Sequence, residues 1–112
     1  VKGVKRFLVR PRASAQINAA IQYYAVTMQA PSAAKGLVDE LQRAYQLIKR
    51  NPDAGSPRLE AELGMPGLRS WALSKYPYLI IYFRHPDCLD VVDVVDVPHT
   101  RTNYVAELTN YL

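Results

Sequence analysis

The chain has one cysteine, Cys88, only two histidines, and no cluster that combines them. A lone cysteine cannot close an internal disulfide, and without a second cysteine or a nearby histidine cluster no structural zinc site is expected. No apolar run approaches the ~20 residues that cross a bilayer, so no membrane-spanning helix is expected. The opening Val-Lys-Gly-Val-Lys-Arg-Phe is basic but lacks the apolar stretch of a secretion signal, which points to a cytoplasmic location. No block of five like charges, internal repeat, low-complexity tract or interdomain linker interrupts the 112 residues. A chain of that length buries roughly two-thirds of its unfolded surface, enough for one core and not for two. A single domain over residues 1–112 is therefore expected.

What is present is ordinary in amount and informative in arrangement. A hydrophobic fraction of 49% with 21% charged residues suits a soluble globular chain. The formal net charge of +4 favours nucleic acid or an acidic protein segment as partner without choosing between them. The basic residues are scattered, so only folding can gather them on one face.

The eight prolines fall between periodic segments. Lys5 to Arg10 reads as a short strand closed by Pro11. Ile17, Ala20, Ile21, Tyr24 and Met28 recur at helical spacing, predicting a helix from about Arg12 to Met28. After Pro31, Ser32 is the expected N-cap of a second helix, whose Leu37, Leu41, Ala44, Tyr45 and Ile48 share one face before Asn51-Pro52 ends it. The short connection makes the two an antiparallel hairpin. Pro52 to Met65 reads as an irregular crossing with a helical turn around Leu59 to Leu63. The period then changes to that of strands over Leu68 to Leu73, Tyr78 to Phe83 and Leu89 to Val97, joined by turn-like Ser-Lys-Tyr-Pro and His-Pro-Asp-Cys. Asn103 to Leu112 returns to helical spacing through Val105, Leu108 and Leu112. The order β-α-α-β-β-β lets the first strand join the meander beneath the hairpin, which predicts a two-layer α+β fold, an antiparallel sheet with the helical hairpin packed on one face.

Several short pieces, taken in order, resemble one family. They are Pro11-Arg12-Ala13-Ser14-Ala15, the Asn51-Pro52 helix end, Gly67-Leu68-Arg69-Ser70, the tyrosine-bracketed strand Tyr78 to Tyr82, and Val97-Pro98-His99. Together they resemble the ParE branch of the RelE/ParE toxin superfamily, over Phe7 to about Asn103. The resemblance implies a toxin that poisons DNA gyrase, stabilises a plasmid or chromosomal locus, and is neutralised by a ParD-like antitoxin. DNA would be met only through the antitoxin complex.

The other branch cuts messenger RNA on the ribosome, which requires an acid, a base and cations around the phosphate. RelE-like nucleases carry lysines in the first meander strand and an arginine after the tyrosine that opens the next. Aligned on Gly64-Met65-Pro66 and Tyr78, those positions here are Ser70, Ala72 and Leu79. None of the three can act as acid, base or phosphate clamp. A gyrase inhibitor is therefore expected, with no catalytic residue, cofactor or metal. The alternatives are an RNA endonuclease that uses Arg69, Arg84, His99 and Arg101, and a non-toxic relative that only binds antitoxin.

The target-binding candidates are Arg69, Trp71, His99, Arg101 and Tyr104. Strand alternation puts Arg69 on one face with Trp71 and Leu73, where a guanidinium beside an indole can anchor a partner; pairing with an aspartate of the last strand is the competing reading. Asp90, Asp93 and Asp96 recur every three residues, which an unbroken two-residue period cannot keep on one face. A metal-binding trio is not expected, and two solvated aspartates with one paired to arginine are. Members of the ParE branch often end the last strand in His followed by Arg-Asp and carry a basic residue where Asp96 stands. Here His99 precedes Thr100-Arg101-Thr102-Asn103, so the histidine is read either as part of the target surface or as a capping side chain. Tyr23, Tyr24 and Tyr45 are expected to supply apolar area to the contact between helices and sheet.

Overall fold

The computed structural model describes residues 4–112; Val1 to Gly3, the first part of the opening segment read against a secretion signal, lie outside them. The elements are β1 (Arg6–Val9), α1 (Pro11–Gln22), a π-helical turn (Tyr23–Thr27), α2 (Pro31–Arg50), a 3-10 turn (Pro52–Ala54), α3 (Arg58–Leu63), β2 (Leu68–Ala72), β3 (Leu79–Arg84), β4 (Val91–Asp96) and α4 (Tyr104–Tyr111). They form an α+β fold whose four-stranded mixed sheet has the order β1-β4-β3-β2. β1 runs parallel to β4 and the other neighbours are antiparallel, so the sheet is mixed where a wholly antiparallel one was expected, because the two-helix crossover returns the chain in the direction of β1.

Proline opens both hairpin helices, because its fixed φ and missing N–H suit the first helical position. The expected Ser32 cap is thereby corrected: Pro31 already begins α2, and Ala30 before it makes no side-chain capping bond. The first helix also departs from expectation. Its α geometry ends at Gln22, and the remaining turn is π-helical, closed by the Met28 N–H on the Tyr23 carbonyl at 2.8 Å. The wider turn rotates the end of the apolar stripe outwards. Tyr23, Val26 and Met28 are left 46%, 65% and 54% exposed, so Tyr23 does not join the core as expected. Tyr24 and Tyr45 do pack against it.

The sheet is apolar on both faces. On the hairpin side Leu37, Leu41, Ala44 and Ile48 of α2 meet Leu73, Ile80, Tyr82, Val92 and Val94. On the other side Leu59 of α3 and Leu108 of α4 cover Leu68, Leu79, Ile81 and Val95. The C-terminal helix is thus a docked part of the second core, its Leu108 fully buried.

A register shift in the β3–β4 pair changes the fate of the aspartates. Ile81 pairs with Asp96 while Tyr82 pairs with Val94, so Val95 is an extra residue. The bulge brings Asp93, opposite Phe83, and Asp96, opposite Ile81, to the same face. Each meets an arginine from the start of α1: Arg10 Nη2 to Asp93 at 2.9 Å and Arg12 Nε to Asp96 at 2.9 Å. The expectation of one paired aspartate is corrected to two, because the sequence period is broken where alternation had been assumed. Among the described residues no group of three His, Cys, Asp or Glu side chains is placed to hold a metal, and no helix is long and apolar enough to cross a membrane.

Leu41, 5% exposed, should lose ~2–5 kcal/mol of stability on Leu41→Ala, through lost burial and the cavity left behind, whereas Leu47→Ala, at a site 45% exposed, should change the denaturation midpoint little. Asp96 has no exposed side-chain surface, so Arg12→Ala strands a buried carboxylate and should cost about 3–5 kcal/mol in chemical denaturation. Burial pushes the Tyr45 phenol up to about 12 and leaves its hydroxyl without a partner. A folded pKa above the unfolded value of 10.0 stabilises the fold fully below that pH and loses its contribution as pH rises from there towards 12. Tyr45→Phe should therefore be neutral to stabilising at pH 7 and should flatten this alkaline limb in a pH series of urea melts.

Candidate functional site

The fold distributes the five candidates over three places. Arg69 and Trp71 lie on β2, opposite Tyr82 and Ile80 on the hairpin side of the sheet. The Arg69 guanidinium donates to the carbonyls of Asp53, at 3.4 Å, and Gly55, at 3.2 Å, and lies 3.9 Å from the Asp53 carboxylate. Arg84 binds the same carboxylate. The hydrogen bond from Arg84 holds the Asp53 carboxyl below its ordinary range; partial burial opposes the shift, and the charges of Arg84 and Arg69 add to it. Pairing of Arg69 with an aspartate of the last strand is overturned, because β3 separates β2 from β4 and both Asp93, by alternation, and Asp96, through the bulge, lie on the opposite face.

The same corner fixes the crossing segment to the sheet. The buried Tyr82 hydroxyl accepts from the Gly55 N–H at 3.0 Å and donates to the Pro52 carbonyl at 2.7 Å. Any Cβ at Gly55 would run into that hydroxyl. Arg69 is therefore part of a structural knot, and its side chain remains 23% exposed.

His99 and Arg101 lie at the other end of β3, where Tyr78 forms an isolated bridge with His99. Tyr78 is four residues from the Arg69 partner Tyr82, roughly 13 Å along an extended strand. The Tyr78 and His99 rings meet edge to face with centroids 5.4 Å apart. His99 Nδ1 accepts the Arg101 backbone N–H at 3.0 Å, so the neutral imidazole carries its proton on Nε2. The turn is tightened by the Thr102 hydroxyl, which donates to the His99 carbonyl at 2.7 Å. The Arg101 side chain is exposed and forms no salt bridge among the described residues. These groups border a cavity of about 530 Å³ completed by Tyr23, Tyr24, Met28 and Pro77. Tyr104 belongs elsewhere: its hydroxyl accepts from Arg58 Nη2 at 3.0 Å, within the contact between α3 and α4.

Residues that sequence reasoning passed over build this end of the molecule. Glu40, 8% exposed, projects from α2 into the turn between β2 and β3. It accepts from the backbone N–H of Ser74, from the Ser74 hydroxyl at 3.1 Å and from the Lys75 N–H at 3.2 Å. The Tyr76 hydroxyl donates to the Ala33 carbonyl at 2.6 Å, in space left by the missing side chain of Gly36. The available signal was an acid set among Leu37, Leu41 and Ala44 on the buried stripe of α2.

The positions at which a nuclease of this fold needs cations lie on the other face of the sheet. Ser70 is engaged through its backbone with Ser56, at 2.8 and 3.1 Å, and Leu79 is buried in the core beneath Leu108.

Three comparisons bear on this architecture. Residues 7–104 match the family model described as ParE toxin of type II toxin-antitoxin system, parDE. No curated protein matches the chain. Among solved structures, a chain described as the chromosomal ParDE TA system from P. aeruginosa is similar with a TM-score of 0.67 and 17% identity, covering 86% of this chain and 96% of that one. At that identity the structural likeness speaks for the fold, and the family match speaks for descent. Since the match runs from β1 to the start of α4, the chain belongs to the ParE toxin family of type II toxin–antitoxin systems.

Proposed function

We propose that this protein is a cytoplasmic toxin that blocks DNA gyrase by binding it, without catalysis, and that a ParD-like antitoxin neutralises it. The observation that carries the non-catalytic reading is the chemistry of the sheet face where a nuclease would work, with Leu79 buried and the half-buried Ser70 and exposed Ala72 carrying no ionisable side chain. Ser70, Ala72 and Leu79 supply no acid, base or cation, and α3 and α4 seal Leu79 and Ile81 into an apolar core. Several lost transition-state contacts act together, so such a surface has no route to the rate enhancement of a ribonuclease.

Support for an antitoxin comes from β1, at one end of the sheet. Arg6 donates its N–H to the carbonyl of Asp90, just before β4, and Arg10 to that of Val94 within it, which by strand alternation turns the backbone groups of Phe7 and Val9 outwards. Lys5 and Arg6 flank this open edge, while Arg10 is already paired with Asp93. An acidic extended segment fits it, with main-chain hydrogen bonds supplying affinity and charge setting approach and direction.

Within this reading the exposed Arg101 and the half-buried His99, both at the edge of the cavity, engage the target directly. Arg69 acts by holding the Asp53 segment, Trp71 by packing between hairpin and sheet, and Tyr104 by seating α4. A truncation before His99 is a poor probe, since loss of α4 uncovers Leu79, Ile81 and Val95.

Purified wild-type protein should inhibit gyrase supercoiling and leave messenger RNA intact on programmed ribosomes. Arg101→Ala should weaken inhibition with an unchanged melting midpoint, while Arg69→Ala should lower both. Ribosome-dependent cleavage that disappears in His99→Ala would promote the nuclease reading instead. Raising salt should slow antitoxin association more than it speeds dissociation, because long-range steering is screened while buried contacts are not; stopped-flow rates over a salt series read this directly.

A further inference from the structure

The cavity beside His99 and Arg101 is assembled from three separate parts of the chain, each held by its own bonds. The π turn brings Tyr23, Tyr24 and Met28; the turn after β2 brings Pro77 and Tyr78; the segment after β4 brings His99 and Arg101. The π turn is locked by the Met28 and Ala30 N–H groups on the carbonyls of Tyr23 and Tyr24, each at 2.8 Å, and by Gln29 in a left-handed conformation at φ 50. Tyr24 stands edge-on to Tyr76, with centroids 5.4 Å apart, and Tyr76 is tied to α2. Glu40 fixes the start of the same turn. The walls are thus set before any partner arrives, which lowers the entropic cost of docking.

The chemistry of the lining selects the occupant. Tyr23, Tyr24, Met28, Pro77 and Tyr78 offer aromatic and apolar surface, and among the described residues no carboxylate lines this cavity. Arg101 brings an unpaired positive charge to its edge. Glu107 lines the adjoining cavity of about 300 Å³, where it already faces Arg12 at 3.5 Å. One guanidinium matches one carboxylate, whereas a nucleic-acid backbone calls for several cations and would meet Glu107 as a repelling neighbour. Exposed apolar side chains of a π turn next to an unpaired arginine have the composition of an interface anchor.

We propose that this cavity seats a segment of the inhibited protein in which an aromatic side chain is followed by a carboxylate, the ring entering between Tyr23, Met28 and Tyr78 and the carboxylate meeting Arg101. The inference rests on reading the protein as a toxin that acts by binding, and it adds the site and the chemistry of what enters it.

The test has two arms on the full chain. In the first, 15N-labelled protein is titrated with N-acetyl-Phe-Asp-amide, with N-acetyl-Phe-Asn-amide and with uridine monophosphate. Amide shifts should cluster at Tyr23, Tyr78, His99 and Arg101, and the aspartyl peptide should bind about 2- to 5-fold tighter than its asparaginyl twin, the gain of an exposed ion pair. Arg101→Glu should erase that preference while Met28→Glu weakens both peptides, with melting midpoints unchanged. Equal binding of the two peptides, shifts elsewhere, or tighter binding of the nucleotide would each overturn the proposal. In the second arm the same variants are compared in gyrase supercoiling, where a 10-fold or larger loss of inhibition is expected for the double variant. Full inhibition by that variant overturns the site as the target contact. Site-specific binding of the aspartyl peptide by a wild type that leaves gyrase untouched would sink gyrase as the target and keep the cavity.

Discussion

In the middle of the sheet Val95 is an extra residue between the pairings of Val94 with Tyr82 and Asp96 with Ile81, and much of the molecule depends on it. Before the bulge β4 turns Val92 and Val94 to the hairpin; after it Val97 does so again, with Val95 under Leu108 and Asp96 beside Arg12. A strand that alternated throughout would put Asp96 into the hairpin core, on the face away from Arg12. With the bulge, Arg12 of α1 reaches Asp96 at 2.9 Å, Glu107 of α4 at 3.5 Å and the Tyr111 ring at 4.8 Å. One guanidinium thereby joins the first helix, the central strand and the last helix. The Glu107 contact is exposed and worth little, while the Asp96 contact is not replaceable by water.

How much of this was legible depends on the range of the interactions. Helix and strand types followed from periodicity because each face meets a core, and both cores are contiguous. The π turn was invisible because Tyr24 and Met28 keep helical spacing in the sequence whether the turn between them holds one more residue or not. The aspartates of β4 were misassigned for a related reason. Their three-residue spacing argued against a shared face only if alternation ran unbroken, and a bulge leaves no mark in a run as uniform as Val-Val-Asp-Val-Val-Asp.

The site shows the same division. His99 and Arg101 stood out as polar residues just beyond a strand, where side chains are free to meet a partner. Arg69 stood out equally and proved to be tied to Asp53, since sheet order decides partners and an irregular stretch such as Pro52–Ser56 gives no periodic hint of where it lies. The walls around His99 come from residues separated by up to about 75 positions, and no local pattern links Tyr23 to Tyr78. Glu40 was the one readable sign that a loop had to fold down onto α2, because a buried carboxylate requires donors and helix backbone supplies none sideways.

Both sides of the sheet carry a core, and in the proposed function only the tip of the hairpin side is kept for recognition. The α3 and α4 side has given up solvent access to pack Leu79, Ile81 and Val95. The hairpin side is closed over its length but left open at its tip, where the π turn exposes Tyr23, Val26 and Met28 next to an unpaired Arg101. An exposed apolar tip costs solubility and contributes nothing to the fold, whereas the Glu40 and Tyr76 bonds that hold its surroundings rigid do stabilise it. Rigidity around an apolar, singly charged opening favours selection of a protein surface by shape, with charge guiding encounter. A surface of that kind can inhibit a large enzyme by occupying it, which requires no chemistry from the sheet face that the core has sealed.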